Sequence, residues 1–211
     1  MDTERLTPAP NQPQVTLARV KALLARLDAE RTADQPQPDK QPRPAYTPEP
    51  CLKEPDLAAW EAANGVALPE AYRLFLLEIG NGGMMPGSYC DFEVWSLDDR
   101  RRKAYYTQLQ EPFPLSRERF EQQIARLQTE GRSANPLFPE LWEQWKGEDL
   151  PPGCLPLGHY PSYDPLFLIV NGDMRGTVWC IVADCVVEIN DQYQPFDFLG
   201  WFEDTLLELV G

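Results

Sequence analysis

The chain has 211 residues, of which 43% are hydrophobic, enough for one domain with extensions or for two small domains. Its formal net charge is −14, and residues 151–211 carry nine acids against one base, Arg175. Because phosphate binding needs a basic face, this distribution argues against nucleic acid as a direct partner and permits a basic protein partner.

The sequence also argues against export, membrane insertion and metal binding. No apolar segment follows a basic head at the N-terminus, and no apolar run approaches the roughly 18 residues of a membrane span. The five cysteines are scattered without a Cys-x-x-Cys pair, and His159 is the one histidine. We therefore expect no metal and no cofactor. Thiols in this pattern are typical of a reducing cytoplasm, where we expect the protein to reside.

Residues 1–50 are predicted to form an N-terminal helix and a proline-rich linker. The helix spans Thr16 to about Glu30, with Thr16 as a candidate cap. Its apolar face consists of four aliphatic side chains: Leu17, Val20, Leu24 and Leu27. Residues 32–50 hold six prolines among polar residues, which is typical of an extended linker. The helix either folds back onto its own domain or serves as an interaction arm or a swapped element.

The best-marked element is a helix near the start of the folded domain, which we expect to span residues 51–211. A short helix, Pro55 to Asn64, precedes it. Pro69, directly after Leu68, suits a first helical turn. The apolar stripe falls at helical spacing and consists of Tyr72, Phe75, Leu76 and Ile79. The run Gly80-Asn81-Gly82-Gly83 is interpreted as a helix stop, because a phosphate-binding loop precedes a helix and usually carries lysine.

A strand is predicted at Cys90–Leu97, followed by a helical insertion at about residues 98–150. Within the insertion, Ser116 caps a helix that runs to Gly131. A further helical turn or two is expected from Pro139 to about Lys146. The basic run 100–103 is too short and too close to acids for a nucleic-acid patch, so we interpret it as a solvated helix start.

The last third of the chain is strand-rich. The four predicted strands are Cys154–His159, Leu166–Val170, Thr177–Val182 and Val186–Ile189. Pro156 indicates an edge or a bulge in the first, and the continuous apolar run of the second indicates burial on both faces. A helix from about Pro195 closes the chain. The predicted fold class is α+β, with an antiparallel meander sheet of about four to six strands, helices packed on one face, and the helical insertion.

The order of these blocks resembles the SUKH superfamily. The first block opens with Leu-Pro-Glu-x-Tyr at Leu68 and closes in Gly80-Asn81-Gly82-Gly83. The later blocks are Leu155-Pro156-Leu157-Gly158, the strand Phe167–Val170, the strand Gly176-Thr177-Val178-Trp179, and the helix start Phe198-Leu199-Gly200-Trp201-Phe202. The resemblance covers roughly residues 55–97 and 150–210. It leaves out the N-terminal arm and the insertion.

The resemblance implies a function that composition does not. The superfamily is similar to fungal cell-wall-synthesis regulators, and its bacterial members are mostly immunity proteins encoded beside polymorphic toxins. It therefore implies a non-enzymatic protein that binds and neutralises a cognate toxin domain, often a nuclease, in the cytoplasm. It supplies no catalytic residues. The alternative is a regulatory scaffold or adaptor like the fungal relatives, whose mark would be an arm of residues 1–50 that recruits a partner.

Candidate partner-binding residues come from the acidic last third. Five carboxylates lie at or beside predicted turns and strand ends: Asp164, Asp173, Asp184, Glu188 and Asp191. Because a carboxylate is rarely buried unpaired, we expect these to form an acidic surface on or around the sheet. Such a surface could occupy the basic cleft of a toxin in place of phosphate.

Overall fold

The computed structural model describes residues 12–33, 46–85, 92–102, 108–130, 138, 150–159, 165–180, 186–187 and 194–210. The helices within them are α1 (Pro13–Ala33), α2 (Glu54–Asn64), α3 (Glu70–Glu78), α4 (Arg117–Thr129) and α5 (Phe198–Val210). The strands are β1 (Thr47–Pro48), β2 (Gly83–Met85), β3 (Phe92–Val94), β4 (Cys154–His159), β5 (Pro165–Ile169), β6 (Val178–Cys180) and β7 (Val186–Val187). The helix predicted from Pro139 lies outside the described residues.

The strands form one antiparallel sheet in chain order, from β1 to β7. This confirms the predicted α+β fold with a meander sheet. The described sheet has seven strands where four to six were expected, because Thr47–Pro48, within the predicted linker, pairs with β2. Across the first three strands Thr47 lies opposite Met84, and Met84 lies opposite Glu93.

Pro156 marks a bulge, one of the two structures expected from its position. The register between β4 and β5 shifts between Pro156 and Gly158. β4 lies between β3 and β5, so it is an inner strand rather than an edge. A proline has no N–H to donate to a ladder, and a bulge lets an inner strand tolerate it.

The first core layer packs helices α1, α2, α3 and α5 against one face of the sheet. Phe75 of α3 lies 4.7 Å from Phe198 and 5.0 Å from Phe202 of α5, measured between ring centroids. Leu166 and Leu168 of β5 face this layer and are fully buried. Helices α1, α3 and α5 contact one another on this face, and α2 adds Leu57 to the same layer.

A second core layer lies on the opposite face and comes from the insertion. Ser116 caps α4 by accepting a hydrogen bond from the Arg119 N–H, which confirms the predicted cap. Phe120 and Ile124 of this helix pack in a cluster with Phe167 and Trp179 of the sheet. β5 is therefore buried on both faces, as its unbroken apolar run predicts.

Helix α1 folds back onto the domain. Leu17 and Val20 are buried in the first core layer, against α3 and α5. At its rim, Arg19 Nη2 lies 2.8 Å from Glu203 Oε2. The helix begins at Pro13, so Thr16 is inside it and accepts a hydrogen bond from Arg19 instead of capping. Of the two alternatives for this helix, the structure shows packing within its own chain.

Candidate interaction surface

The Gly80–Gly83 motif sets how closely three strands approach one another. Helix α3 ends at a right-handed residue, Ile79, with φ −113° and ψ −55°, so its end does not require a glycine. Gly82 and Gly83 have φ of 91° and 137°. A Cβ on Gly82 would lie 2.5 Å from the Val94 carbonyl oxygen, and one on Gly83 would lie 2.3 Å from that of Thr47. The two glycines therefore allow β1, β2 and β3 to pack backbone against backbone.

Asn81 fastens the segment after β3 to this motif. Its side chain is buried, and its Oδ1 accepts a hydrogen bond of 2.9 Å from the Leu97 N–H. On the other side of the motif, the Tyr46 hydroxyl donates to the Gly82 carbonyl oxygen at 3.2 Å. The approach to β1 and the exit from β3 are thus both tied to one turn.

Arg102 corrects the expectation of a solvated basic run. Arg100 and Arg101 are exposed, as expected, but Arg102 is fully buried. A backbone hydrogen bond from the Arg102 N–H to the Asp99 carbonyl closes a tight turn, which directs Arg102 inward. There its guanidinium donates to the Tyr72 hydroxyl at 3.1 Å and to the Trp95 carbonyl oxygen. Its Nε is buried without a hydrogen-bond partner among the described residues.

Arg101 lies at the centre of an ion-pair cluster in which its own side chain and that of Glu93 are exposed, whereas the Asp99 side chain keeps 15% of its surface accessible. Its Nη1 is 2.8 Å from Glu93 Oε2, and its Nη2 is 2.6 Å from Asp99 Oδ2. The guanidinium carbon also lies 4.4 Å from the centroid of the Trp95 ring, in cation–π contact. The hydrogen bonds from Arg101 lower the pKa of the Asp99 carboxyl. The arginine is thus held between two carboxylates and an aromatic face.

Two further acids extend this cluster, Glu49 after β1 and Asp98 beside Asp99. Partial burial raises the pKa of the Glu49 carboxyl, and the neighbouring charges of Asp98, Glu93 and Asp99 raise it further. Four carboxylates thus share this area with Arg101, and with Arg100 exposed in the same turn. Counting Arg100, Arg101 and the buried Arg102, whose charge also acts on Asp99, the acids are in excess by one.

These acids were not among the predicted site residues. Glu49 is far in sequence from Glu93, Asp98 and Asp99, and packing around the Gly80–Gly83 turn brings the two segments together. The one sequence signal was that Glu93 alternates with the apolar Val94 along a strand, which places the carboxylate on the opposite face.

Of the five predicted acidic residues, the structure describes one. Asp173 is exposed in the turn between β5 and β6, where its backbone carbonyl accepts a hydrogen bond of 3.2 Å from Arg117 Nη2. Arg175, in the same turn, donates to the carbonyl oxygens of Ala67 and Leu68, both at 3.0 Å. The other four predicted residues lie outside the described residues: Asp164, Asp184, Glu188 and Asp191. A common acidic surface formed by all five stays a prediction.

The remaining motif residues pack in the two core layers. Leu68, Pro69 and Trp201 are buried on the side of α3 and α5. Trp179 is buried in the second layer, and its Nε1 donates to the Thr177 hydroxyl at 2.8 Å. These buried motif residues therefore stabilise the fold, and the exposed charged side chains lie outside the core.

Within the described ranges, no group of three or more His, Cys, Asp or Glu side chains is placed to hold a metal ion. Among the helices that the structure describes, none is long and apolar enough to cross a membrane.

Comparison with known proteins agrees with the order of motifs. The model of the SMI1/KNR4 family (SUKH-1) matches residues 51–206, well over half of the chain. The matched range includes α2, α3, the insertion and all strands from β2 onward, whereas α1 and β1 precede it. No curated protein matches the chain. The resemblance to the SUKH superfamily is confirmed, and the chain belongs to the SMI1/KNR4 family (SUKH-1).

Proposed function

We propose that this protein is a non-enzymatic immunity protein that binds and neutralises a cognate toxin domain in the cytoplasm. The observation that carries the proposal is the family match over residues 51–206. The buried polar side chains near the central motif support it, because they are engaged within the fold. Asn81 bonds to the Leu97 backbone, and Arg102 bonds to Tyr72 and to the Trp95 backbone. These groups serve as structural ties rather than as reactive groups.

The partner is a basic protein, such as an enzyme that cleaves nucleic acid. The net charge of −14 favours association with a positive surface. Long-range attraction of this kind raises the association rate and weakens as salt is added. Direct binding of nucleic acid is disfavoured for the same reason, because phosphates repel an acidic surface.

The alternative of a regulatory scaffold depended on an N-terminal arm that recruits a partner. Helix α1 uses Leu17 and Val20 to complete the core of its own domain. The apolar residues that an arm would present to a partner are therefore engaged within the chain. This packing favours the immunity function over the scaffold.

The test is co-expression of the chain with the protein of the neighbouring open reading frame. We expect that the neighbouring protein arrests growth when produced alone, that the chain restores growth, and that the two proteins co-purify. The matched control is the same plasmid with a stop codon early in the gene for this chain. If growth is arrested equally with and without the chain, the proposal is wrong.

A further inference from the structure

Among the described residues, the insertion packs on the second face of the sheet over β4, β5 and β6. The strand residues of the second core layer come from β4, β5 and β6: Cys154, Phe167, Ile169 and Trp179. On β1, β2 and β3 the same face carries Thr47, Met84 and Glu93, which are direct cross-strand neighbours. Because cross-strand neighbours point to the same face, these three side chains lie side by side. We call them the β1–β3 face.

The β1–β3 face is exposed and has an apolar centre. Met84 keeps 45% of its surface accessible, and the Glu93 side chain keeps 41%. Thr47 is exposed as well. Methionine is enriched at protein interfaces, where its flexible side chain adapts to a partner's surface. An exposed methionine in the middle of a sheet face is therefore well suited to contact another protein.

The rim of this face is acidic. Glu93 pairs with Arg101, which also pairs with Asp99, and the Glu49 carboxyl lies within the electrostatic influence of Glu93, Asp98 and Asp99. An apolar centre with a charged rim is the usual anatomy of a protein interface. With the acids in excess by one and Glu49 and Asp98 exposed, the rim favours a positively charged partner.

We infer that the β1–β3 face, with the exposed rim carboxylates Glu49 and Asp98, docks a protein surface on which lysines or arginines surround an apolar contact. The identity of that protein as a toxin rests on the proposed function above. Met84 supplies the contact that is desolvated on binding, and the rim acids steer the approach and fix the orientation. A second copy of this chain is a poor occupant, because two acidic rims would repel each other.

The first arm of the test observes Met84 directly. The full chain is labelled with ¹³C at its methionine methyl groups, of which the sequence has four. Spectra are recorded with a lysine decapeptide and, separately, with the protein of the neighbouring open reading frame. We expect the Met84 methyl signal to shift or broaden with both probes, while the signal of Met174, which is fully buried, stays in place.

The second arm measures affinity with a matched pair of variants. The test variant is Met84→Arg with Glu49→Lys, which replaces the apolar centre and reverses one rim charge. The control variant is Leu207→Arg with Glu121→Lys, which makes the same two changes at exposed positions of α5 and α4. We expect the test variant to bind the neighbouring protein about thirtyfold more weakly or worse, and the control to stay within about threefold of wild type. Thermal unfolding of both variants checks that the fold is intact.

The outcomes separate this inference from the proposed function. If the neighbouring protein binds and growth is restored, but Met84 is unaffected and the test variant binds like the control, the β1–β3 face is not the docking surface. A second outcome is that the decapeptide shifts the Met84 signal in wild type and binds the test variant more weakly than the control, while the neighbouring protein does not bind. In that case the β1–β3 face is a docking surface, and the proposed immunity function is wrong. A Met84 signal that responds to neither probe overturns the inference.

Discussion

Arg102 and Tyr72 are joined by a hydrogen bond of 3.1 Å between a guanidinium Nη1 and a phenol hydroxyl, and both side chains are fully buried. Tyr72 belongs to the helix that opens the family motif, and Arg102 to the turn that begins the insertion. The bond therefore connects the centre of the domain to the segment that carries Asp98, Asp99 and Arg101. The bond thus joins the part of the rim formed by Asp98 and Asp99 to helix α3.

Tyr72→Phe should lower the free energy of unfolding by about 1–3 kcal/mol, because it leaves a buried guanidinium N–H without its partner. Arg102→Met should also destabilise. The double variant should lose less than the sum of the two, since removing both polar partners leaves less to be desolvated. Urea unfolding of the four proteins measures the coupling. Strictly additive losses would mean that the two groups do not interact in solution.

Phe75→Ala should cost about 3–5 kcal/mol, because it deletes a buried ring that contacts two phenylalanines of α5. Leu207→Ala, at an exposed position of the same α5, is the control and should change stability little. The measurement is chemical denaturation. A Phe75→Ala protein as stable as wild type would show that α3 does not face the core.

Gly83→Ala should destabilise the fold more than Gly176→Ala. Both glycines have positive φ, 137° and 96°, so both variants carry backbone strain. An added Cβ would lie 2.3 Å from the Thr47 carbonyl oxygen at Gly83, but 3.8 Å from the nearest atom outside the adjoining residues, Pro69 Cβ, at Gly176. Because the backbone strain is common to both variants, the difference between their unfolding free energies measures the cost of the clash with β1. Equal losses would mean that β1 moves away at no cost.

These contrasts show which features were predictable from sequence. Helix α3 and the Ser116 cap were predictable because their signals are local: periodic apolar residues and a capping side chain. β1 was not, because its two residues are a strand only through pairing with β2. The apolar run of β5 predicted burial on both faces but could not say that Phe120 and Ile124 of the insertion would cover the second.

The candidate surface was harder to predict for the same reason. The sequence predicts a linker around Glu49 and a solvated run around Arg102. Their positions follow from contacts between segments far apart in sequence. Composition located the acid excess in residues 151–211, and it could not reveal a rim assembled from residues 49 to 99.

Truncation to residues 51–211 should reduce stability, although the proline-rich composition of residues 32–50 predicts that the N-terminal arm is dispensable. The truncation removes Leu17 and Val20 from the first core layer and removes β1 from the edge of the sheet. The milder variant Val20→Ala isolates α1 and should cost about 1–3 kcal/mol, whereas Ala18→Ser, on the exposed side of the helix, should be nearly neutral. If denaturation shows the truncated chain to be as stable as the full chain, residues 1–50 do not contribute to the stability of the domain.

Asp197 should give the protein a pH dependence with a definite sign. Burial raises the pKa of its carboxyl above the ordinary value of 3.8. A raised acid pKa means that the folded state binds the proton more tightly, so its contribution to stability is present at low pH and is lost as pH rises through the folded pKa. Relative to Asp197→Asn, which keeps an acceptor for the Gly200 N–H, wild type should gain stability as pH falls from neutrality toward 3.8. A constant difference across that range would contradict the shift.

The most direct test of the central claim, a binding protein with an acidic docking face, is the rate of association with the neighbouring-frame protein as ionic strength rises. We predict an association rate that falls steeply as salt is added. At low salt, the Met84→Arg, Glu49→Lys variant should associate more slowly than wild type. The Leu207→Arg, Glu121→Lys control should associate at the wild-type rate. A third variant, with the charges of Asp184 and Glu188 reversed, tests whether the acids predicted from the sequence contribute to the association rate. A rate that is flat in salt, with all three variants associating like wild type, would contradict the account.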